Sequence, residues 1–165
     1  MKEEKTVFYP YSSWLKQRYG EKVYKLPVNL PVSCPNRCDG HGGCTFCSEK
    51  GTGFESVWQP ASVTEQMQHA RDVVAKRYKA RKFIAYFQNY TNTFMAMELF
   101  KAYLEEAAAF PDVVEISVST RPDCIRTDYL ACLAELQERT HVGINIELGL
   151  QTANYHTLDR VHREH

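Results

Sequence analysis

The sequence SVTEQMQHARDVVAKRYKARKFIAYF, residues 62–87, contains a helix signal followed at once by a strand signal. Ser62 and Glu65 have the spacing of a capping box, which marks the start of a helix. Apolar residues then recur at helical spacing as far as Tyr78. The segment 82–87 is short, apolar and aromatic, which predicts a strand. A helix that leads directly into a strand is the repeating unit of an α/β fold.

The same alternation extends along most of the chain. Three further segments have strand character, at residues 24–33, 113–119 and 143–150. Two further helices are predicted at residues 95–109, ended by Pro111, and 127–136, with Thr127 or Asp128 as the cap. Strands that alternate with helices of this length predict a parallel sheet with right-handed crossovers.

The predicted architecture is therefore the N-terminal part of a partial TIM-like (β/α) barrel. A complete barrel typically needs about 250 residues, and this chain has 165 residues with about four βα units. We expect a single domain over residues 1–165, with residues 1–23 as an N-terminal extension and residues 153–165 as the start of another helix. We also expect the chain to be the first half of a larger barrel protein.

The composition is that of a globular protein with a core, 44% hydrophobic and 24% charged. The 20 Lys and Arg residues balance 20 Asp and Glu residues, so no strongly basic nucleic-acid surface is predicted. We find no signal peptide and no membrane span in the sequence, and we expect a cytoplasmic protein with no membrane partner. Clustered cysteines in the cytoplasm are more often metal ligands or catalysts than disulfides.

Four of the six cysteines lie in CPNRCDGHGGCTFC, residues 34–47. This stretch follows the first predicted strand, at the sheet edge where α/β proteins place their active sites. All four thiols, Cys34, Cys38, Cys44 and Cys47, could close a tetrahedral zinc site in a non-enzymatic binding module. Three of them, without Cys38, could instead hold a [4Fe-4S] cluster with one open iron. The long Cys34 to Cys38 spacing and the position at an active-site edge favour the cluster.

Several motifs of the chain resemble the radical S-adenosylmethionine (SAM) superfamily, in particular its YhcC-type branch, which is related to the Elongator catalytic subunit. The matching strings are CPNR, GGCTFC, YFQNYTNTF, STRPDC and ELGLQT, at residues 34–37, 42–47, 86–94, 119–124 and 147–152. Two features depart from the family pattern. Cys38 is an extra residue inside the cysteine motif, and residues 162–165 differ at two positions from the family's N-R-G-H.

The resemblance implies an enzyme that holds a [4Fe-4S] cluster on Cys34, Cys44 and Cys47. Such an enzyme cleaves SAM reductively to a 5′-deoxyadenosyl radical, which abstracts hydrogen from a substrate. The implied partners are SAM and an electron donor such as flavodoxin or ferredoxin, and the kinship with the Elongator group suggests a tRNA base as substrate. The implied cofactor-binding residues lie in the cysteine motif and after the later strands: Phe46, Gln88, Asn89, Tyr90, Thr91, Asn92, Ser119, Arg121, Glu147 and Gln151.

Each group of these residues also has a structural interpretation. The loop 88–92 corresponds to the segment that receives the SAM amino group, or it is a polar turn that caps the next helix through Asn92 or Thr93. Arg121 could pair with the SAM carboxylate or a substrate anion, or it could be a solvated cation in a turn.

The fourth predicted strand has a polar face. Asn145, Glu147 and Gln151 alternate with apolar residues and therefore share one side of the strand. In a barrel this side faces the lumen, where Glu147 and Gln151 could hold the SAM ribose hydroxyls or the substrate. The alternative for Glu147 is an ion pair with a neighbouring lumen cation. Cys124 and Cys132 are interpreted as structural residues.

Overall fold

The computed structural model describes residues 7–38, 42–48, 61–163 and 165. In chain order the described part contains α1 (Tyr11–Tyr19), β1 (Val23–Val28), α2 (Pro35–Cys38), α3 (Val63–Tyr78), β2 (Lys82–Phe87), α4 (Met97–Ala108), β3 (Val113–Thr120), a 3-10 turn (Pro122–Cys124), α5 (Thr127–Thr140), β4 (Gly143–Leu148) and α6 (Tyr155–Arg160). Among these, no helix is long and apolar enough to cross a lipid bilayer.

The four strands form one parallel sheet in the order β1-β2-β3-β4. One irregularity in the register lies between Phe83 and Ile84, where β2 pairs with β3. Within the described residues β4 pairs with β3 alone, so the sheet is not closed. The predicted α/β class and parallel sheet are therefore confirmed, whereas the TIM-like barrel stays a prediction.

The main core lies between the sheet and helices α3, α4 and α5. Alternate residues of β2, such as Phe83 and Phe87, point to this side, as alternation along a strand requires. They pack with Met67 of α3, Phe100 of α4 and Leu133 of α5. All the crossover helices thus cover one face of the sheet and leave the other face for other elements.

Helix α1 covers part of that second face, which the sequence analysis did not foresee for the N-terminal extension. Leu15 packs with Val23 and Ile84 in a small cluster at the beginnings of the strands. Close by, the Tyr19 hydroxyl donates a hydrogen bond of 2.7 Å to the carboxylate of Glu115.

Local signals located α3 and β2 correctly. Ser62 and Glu65 form the predicted capping box, with Ser62 Oγ 3.2 Å from the Glu65 amide and Glu65 Oε2 2.8 Å from the Ser62 amide. Strand β1 ends at Val28, earlier than predicted, because the next amide, that of Asn29, donates to the Gln66 side chain at 2.8 Å.

The predicted cap of α5 was wrong. Arg126 occupies the N-cap position and its side chain makes no cap hydrogen bond, although the Asp128 carboxylate accepts a hydrogen bond of 3.1 Å from the Tyr129 amide in the first turn. The Asp128 carboxylate also accepts a hydrogen bond of 3.1 Å from Arg126 Nε. Asp128 therefore neutralises a neighbouring cation in the first turn.

Candidate active site

A cavity of about 350 Å³ lies at the C-terminal ends of the strands, within the size range of small-molecule sites. Segments that follow all four strands contribute to its wall. They include the cysteine loop after β1, residues 88–91 after β2, residues 119–121 at the end of β3 and residues 147–151 at the end of β4. The topology thus brings together residues that are distant in sequence.

Three of the four clustered cysteines line this cavity, namely Cys34, Cys44 and Cys47. Cys34 and Cys44 are buried, and Cys47 is partly buried. A turn brings the last two together, because the Cys47 amide donates to the Cys44 carbonyl at 3.0 Å. Cys38 is the last residue of the short helix α2, where it is exposed and does not line the cavity.

Nitrogen donors surround two of the sulfur atoms. Arg121 Nη1 lies 3.5 Å from Cys34 Sγ. Asn36 Nδ2 and Arg163 Nη1 lie 3.3 and 3.6 Å from Cys44 Sγ. Hydrogen bonds to sulfur are contacts that the cysteine ligands of a cluster accept from the surrounding protein.

Arg121 is only 2% exposed, so its interpretation as a solvated cation in a turn was wrong. Its guanidinium makes two hydrogen bonds, of 2.8 and 2.7 Å, to the Asp123 carboxylate. Burial by itself would lower the pKa of Arg121, but the hydrogen bonds to Asp123 and Cys34 outweigh burial and raise it. Burial likewise opposes ionisation of Asp123, yet its bonds to Arg121 hold the pKa of that carboxyl below its ordinary value.

Two kinds of metal site could use the clustered cysteines. Within the described ranges, no three His, Cys, Asp or Glu side chains converge as the ligands of a single metal ion would. The thiolates around an iron-sulfur cluster each bind a different iron, so their sulfur atoms stand farther apart than around one ion. Cys34, Cys44 and Cys47 lie on the wall of one cavity.

The charges around the thiols also suit a cluster. Arg121 and Arg163 carry two positive charges against the single negative charge of Asp123. Burial and the two neighbouring guanidiniums lower the pKa of His165, which is therefore neutral at pH 7. Arg37, a further cation of the cavity wall, lies near Cys47. An oxidised [4Fe-4S] cluster on three thiolates carries one net negative charge, and the guanidiniums among the described residues suit such an anionic group.

The loop after β2 divides into a cavity side and a buried side. Gln88, Tyr90 and Thr91 line the cavity, whereas Asn89 and Asn92 are buried and do not. The side-chain amide of Asn92 donates through Nδ2 to the carbonyl of Phe87 at 3.0 Å and to that of Ser119 at 2.9 Å. In this structure Asn92 joins the ends of β2 and β3.

The alternative interpretation of this loop, a polar cap for the next helix, was wrong. Helix α4 starts later, at Met97, and its N-cap Ala96 has no side-chain cap. Thr93 Oγ1 bonds instead with Thr120 Oγ1, at 2.6 Å, and with the Cys124 carbonyl, at 2.8 Å. The loop therefore makes hydrogen bonds to the C-terminal ends of the strands and does not cap the helix.

Glu147 is the centre of a polar network on the second face of the sheet. Lys25 Nζ and the Tyr86 hydroxyl each donate to its carboxylate at 2.8 Å. Ser119 and Ser117 donate to it at 3.2 and 3.4 Å. Burial raises the pKa of Glu147, but the bonds to Lys25 and Tyr86 outweigh it, so the pKa is lower than its ordinary value.

Both interpretations of Glu147 therefore have support in the geometry. The carboxylate has the ion pair that the structural alternative requires, and it also lines the cavity. Ser119, Gln151 and Phe46 line the cavity as well, and the Phe46 ring is half exposed. Cys132 packs against the core, as its structural interpretation predicted.

The sequence analysis missed five polar residues of the cavity wall: Asn36, Arg37, Tyr86, Thr120 and Arg163. Arg37 donates to the Ser48 carbonyl at 2.9 Å and lies over the Tyr90 ring, 5.4 Å from its centroid. It thereby ties the cysteine loop to the loop after β2. The first two could have been found from their place inside the cysteine motif. Arg163 matches the arginine of the family's N-R-G-H string at residues 162–165, but no local signal places it beside Cys44, which is 119 residues away.

The amino-acid sequence of this chain is similar to those of several known proteins. No family model matches it. It is 40% identical over 154 residues to the uncharacterized protein YtqA of Bacillus subtilis, an overlap of 92% of this chain and 47% of that protein. It is 39% identical over 153 residues to protein YhcC of Escherichia coli K12, with overlaps of 92% and 48%. It is 31% identical over 160 residues to the uncharacterized protein MJ0486 of Methanocaldococcus jannaschii, with overlaps of 96% and 49%. The chain thus spans about half the length of the curated relatives it matches.

Proposed function

We propose that this protein is a radical SAM enzyme that holds a [4Fe-4S] cluster on Cys34, Cys44 and Cys47. One observation carries the proposal. These three cysteines, without Cys38, line a single cavity together with the segments that follow the other three strands. The sequence resemblance supplies the reaction class.

The cluster, when bound, supplies the electron for reductive cleavage of SAM. The residues of the chain bind and orient the molecule that is cleaved. Gln88 and Thr91 offer oxygen acceptors at the cavity wall for the SAM ammonium group. The half-exposed Phe46 ring offers an apolar face for the adenine base.

Glu147 and Gln151 have the chemistry to hold the ribose hydroxyls. Lys25 and Tyr86 keep Glu147 ionised, and a carboxylate accepts hydrogen bonds from hydroxyl groups. The same contacts hold the side chain in one orientation. The resemblance to the Elongator-related branch further supports a tRNA base as substrate and a flavodoxin or ferredoxin as electron donor.

Anaerobic reconstitution with iron and sulfide tests the proposal. We expect a brown protein with four irons per chain and broad absorption at the blue edge of the visible spectrum. On reduction with dithionite it should convert SAM to methionine and 5′-deoxyadenosine. Stoichiometric zinc in the purified protein, with no uptake of iron, would overturn the proposal in favour of a zinc-binding module.

A serine series tests the ligand assignment. We expect Cys34→Ser, Cys44→Ser and Cys47→Ser each to lose the cluster, because each removes one thiolate. Cys38→Ser should retain it, since Cys38 is exposed and outside the cavity wall. Cys132→Ser is the matched control on a helix, and cluster loss in Cys38→Ser alone would contradict the assignment.

A further inference from the structure

Arg163 has an unusual environment for an arginine. It is only 7% exposed, and it lines the cavity beside Cys44. Its Nη2 donates to the Gly149 carbonyl at 2.6 Å, which anchors the guanidinium at the end of β4. Its Nη1 is directed at Cys44 Sγ, 3.6 Å away. No carboxylate within the described ranges pairs with it.

Asn36 connects this guanidinium to a second one. Its Nδ2 donates both to Cys44 Sγ at 3.3 Å and to the His162 carbonyl at 2.7 Å. Its Oδ1 accepts a hydrogen bond from Arg121 Nη1, which is also 3.5 Å from Cys34 Sγ. A continuous buried network therefore runs from Arg121 through Asn36 and the two sulfur atoms to Arg163.

The two guanidiniums differ in whether a neighbouring carboxylate neutralises their charge. Arg121 is matched by Asp123, whose carboxylate lies 2.7 Å from Arg121 Nη2. Among the residues that the structure describes, Arg163 makes hydrogen bonds only to a carbonyl oxygen and a sulfur atom. A charge that no neighbouring carboxylate cancels has a stronger influence in a buried site than one that is paired. Of the two, Arg163 should thus affect the Cys44 sulfur more.

We propose that Arg163, supported by Asn36 and Arg121, is a positioning residue that raises the reduction potential of the iron-sulfur cluster. This inference rests on the proposed function. Hydrogen bonds to ligand sulfurs and the net charge nearby are the protein's main means of setting such a potential. Reduction adds one negative charge to the cluster, and a positive charge beside Cys44 favours the reduced form. Removal of that charge must therefore make the potential more negative.

A redox titration followed by electron paramagnetic resonance tests the inference on the reconstituted protein. We expect Arg163→Met to shift the midpoint potential to a more negative value at unchanged iron content. Arg163→Lys should shift it less, because lysine keeps the charge but cannot contact Gly149 and Cys44 together. Arg71→Met is the matched control, since Arg71 pairs with Asp112 away from the cavity. The cluster of this variant should have the same midpoint potential as the wild-type cluster.

A second variant guards against loss of the cluster in Arg163→Met. Asn36→Asp preserves the shape of the side chain but replaces the donor to Cys44 with a negative charge, so it should also make the potential more negative. Wild-type potentials in every variant that retains its cluster would overturn the inference while leaving the proposed function intact. Failure of the wild type to take up a cluster would overturn both.

Discussion

At the scale of single residues, Glu147 links the second face of the sheet to the cavity. Its carboxylate touches side chains from three other strand regions, at Lys25, Tyr86 and Ser119. Each partner stabilises the ionised form. The charge state of this one residue therefore couples strand β4 to the rest of the sheet.

The contacts of Glu147 predict a pH-dependent stability. Because its pKa is lowered from 4.5, the carboxylate stabilises the fold above that pH, and the contribution disappears as the pH falls through the lowered value. Glu147→Gln should reduce the free energy of unfolding at pH 7 by roughly 1 kcal/mol or less, since its side chain is 36% exposed and solvent screens the pair. Urea denaturation at several pH values measures the difference, which should shrink in acid.

The exposed Glu138 on α5 provides the control for this prediction. Glu138→Gln should change the free energy of unfolding by only a small amount, because no contact of a buried network is removed. A difference between wild type and Glu147→Gln that stays constant from neutral pH into acid would contradict the role of the carboxylate.

Gly43 predicts a second residue-scale effect. Its φ is +89°, and a Cβ atom added there would lie 3.1 Å from Arg37 Cγ. Left-handed strain alone typically costs about 1–2 kcal/mol. Gly43→Ala should lower the free energy of unfolding by about 2 kcal/mol or more, because the new methyl group also displaces Arg37. Urea denaturation measures it. Gly42→Ala is the matched control, with φ +73° and nothing within 4 Å, and equal losses in both variants would contradict the contact.

At the scale of elements, local signals predicted the crossover helices better than the segment before the first strand. The capping box of α3 and the apolar periodicity of α4 and α5 depend on residues within a few positions of each other. Helix α1 has no side-chain cap, and its only buried residue is Leu15. Its position is decided by the sheet face on which it packs.

The packing of α1 predicts a measurable loss of stability. Leu15 is 4% exposed and contacts Val23 and Ile84. Leu15→Ala should lower the free energy of unfolding by about 2 kcal/mol, the lower end for a buried leucine, because its cluster is small. Leu99→Ala on the exposed face of α4, where the side chain is 52% exposed, should cost at most about 0.5 kcal/mol. Similar losses for the two leucines, measured by urea denaturation, would show that α1 does not pack on the sheet.

At the scale of the whole molecule, the two central strands contain most of the buried residues of the sheet. Strand β2 pairs with β1 and β3, and β3 pairs with β2 and β4. Ile84, Ala85, Ile116 and Val118 are fully buried. Residues 144–147 of β4 are only partly buried. Stability is therefore expected to decrease from the centre of the sheet toward β4.

Native-state hydrogen exchange tests this gradient. Amides of β2 and β3 should exchange slowest, because they open only with the whole sheet. Amides of β4 should exchange faster, through local opening at a strand that has one partner among the described residues. Mass spectrometry of peptic peptides, or amide signals in nuclear magnetic resonance, can follow both sets. Protection of β4 equal to that of β2 would contradict the gradient.

The sequence by itself determined the order and type of the βα units, the parallel sheet and the edge at which the cysteine loop lies. These features follow from periodicity, caps and connection lengths, which are properties of neighbouring residues. Only the tertiary structure decided that Cys38 lies outside the cavity wall, that Asn92 joins two strands and that Arg163 contacts Cys44. Those positions depend on which side chains are buried against distant parts of the chain, and contacts across 119 residues have no local signal.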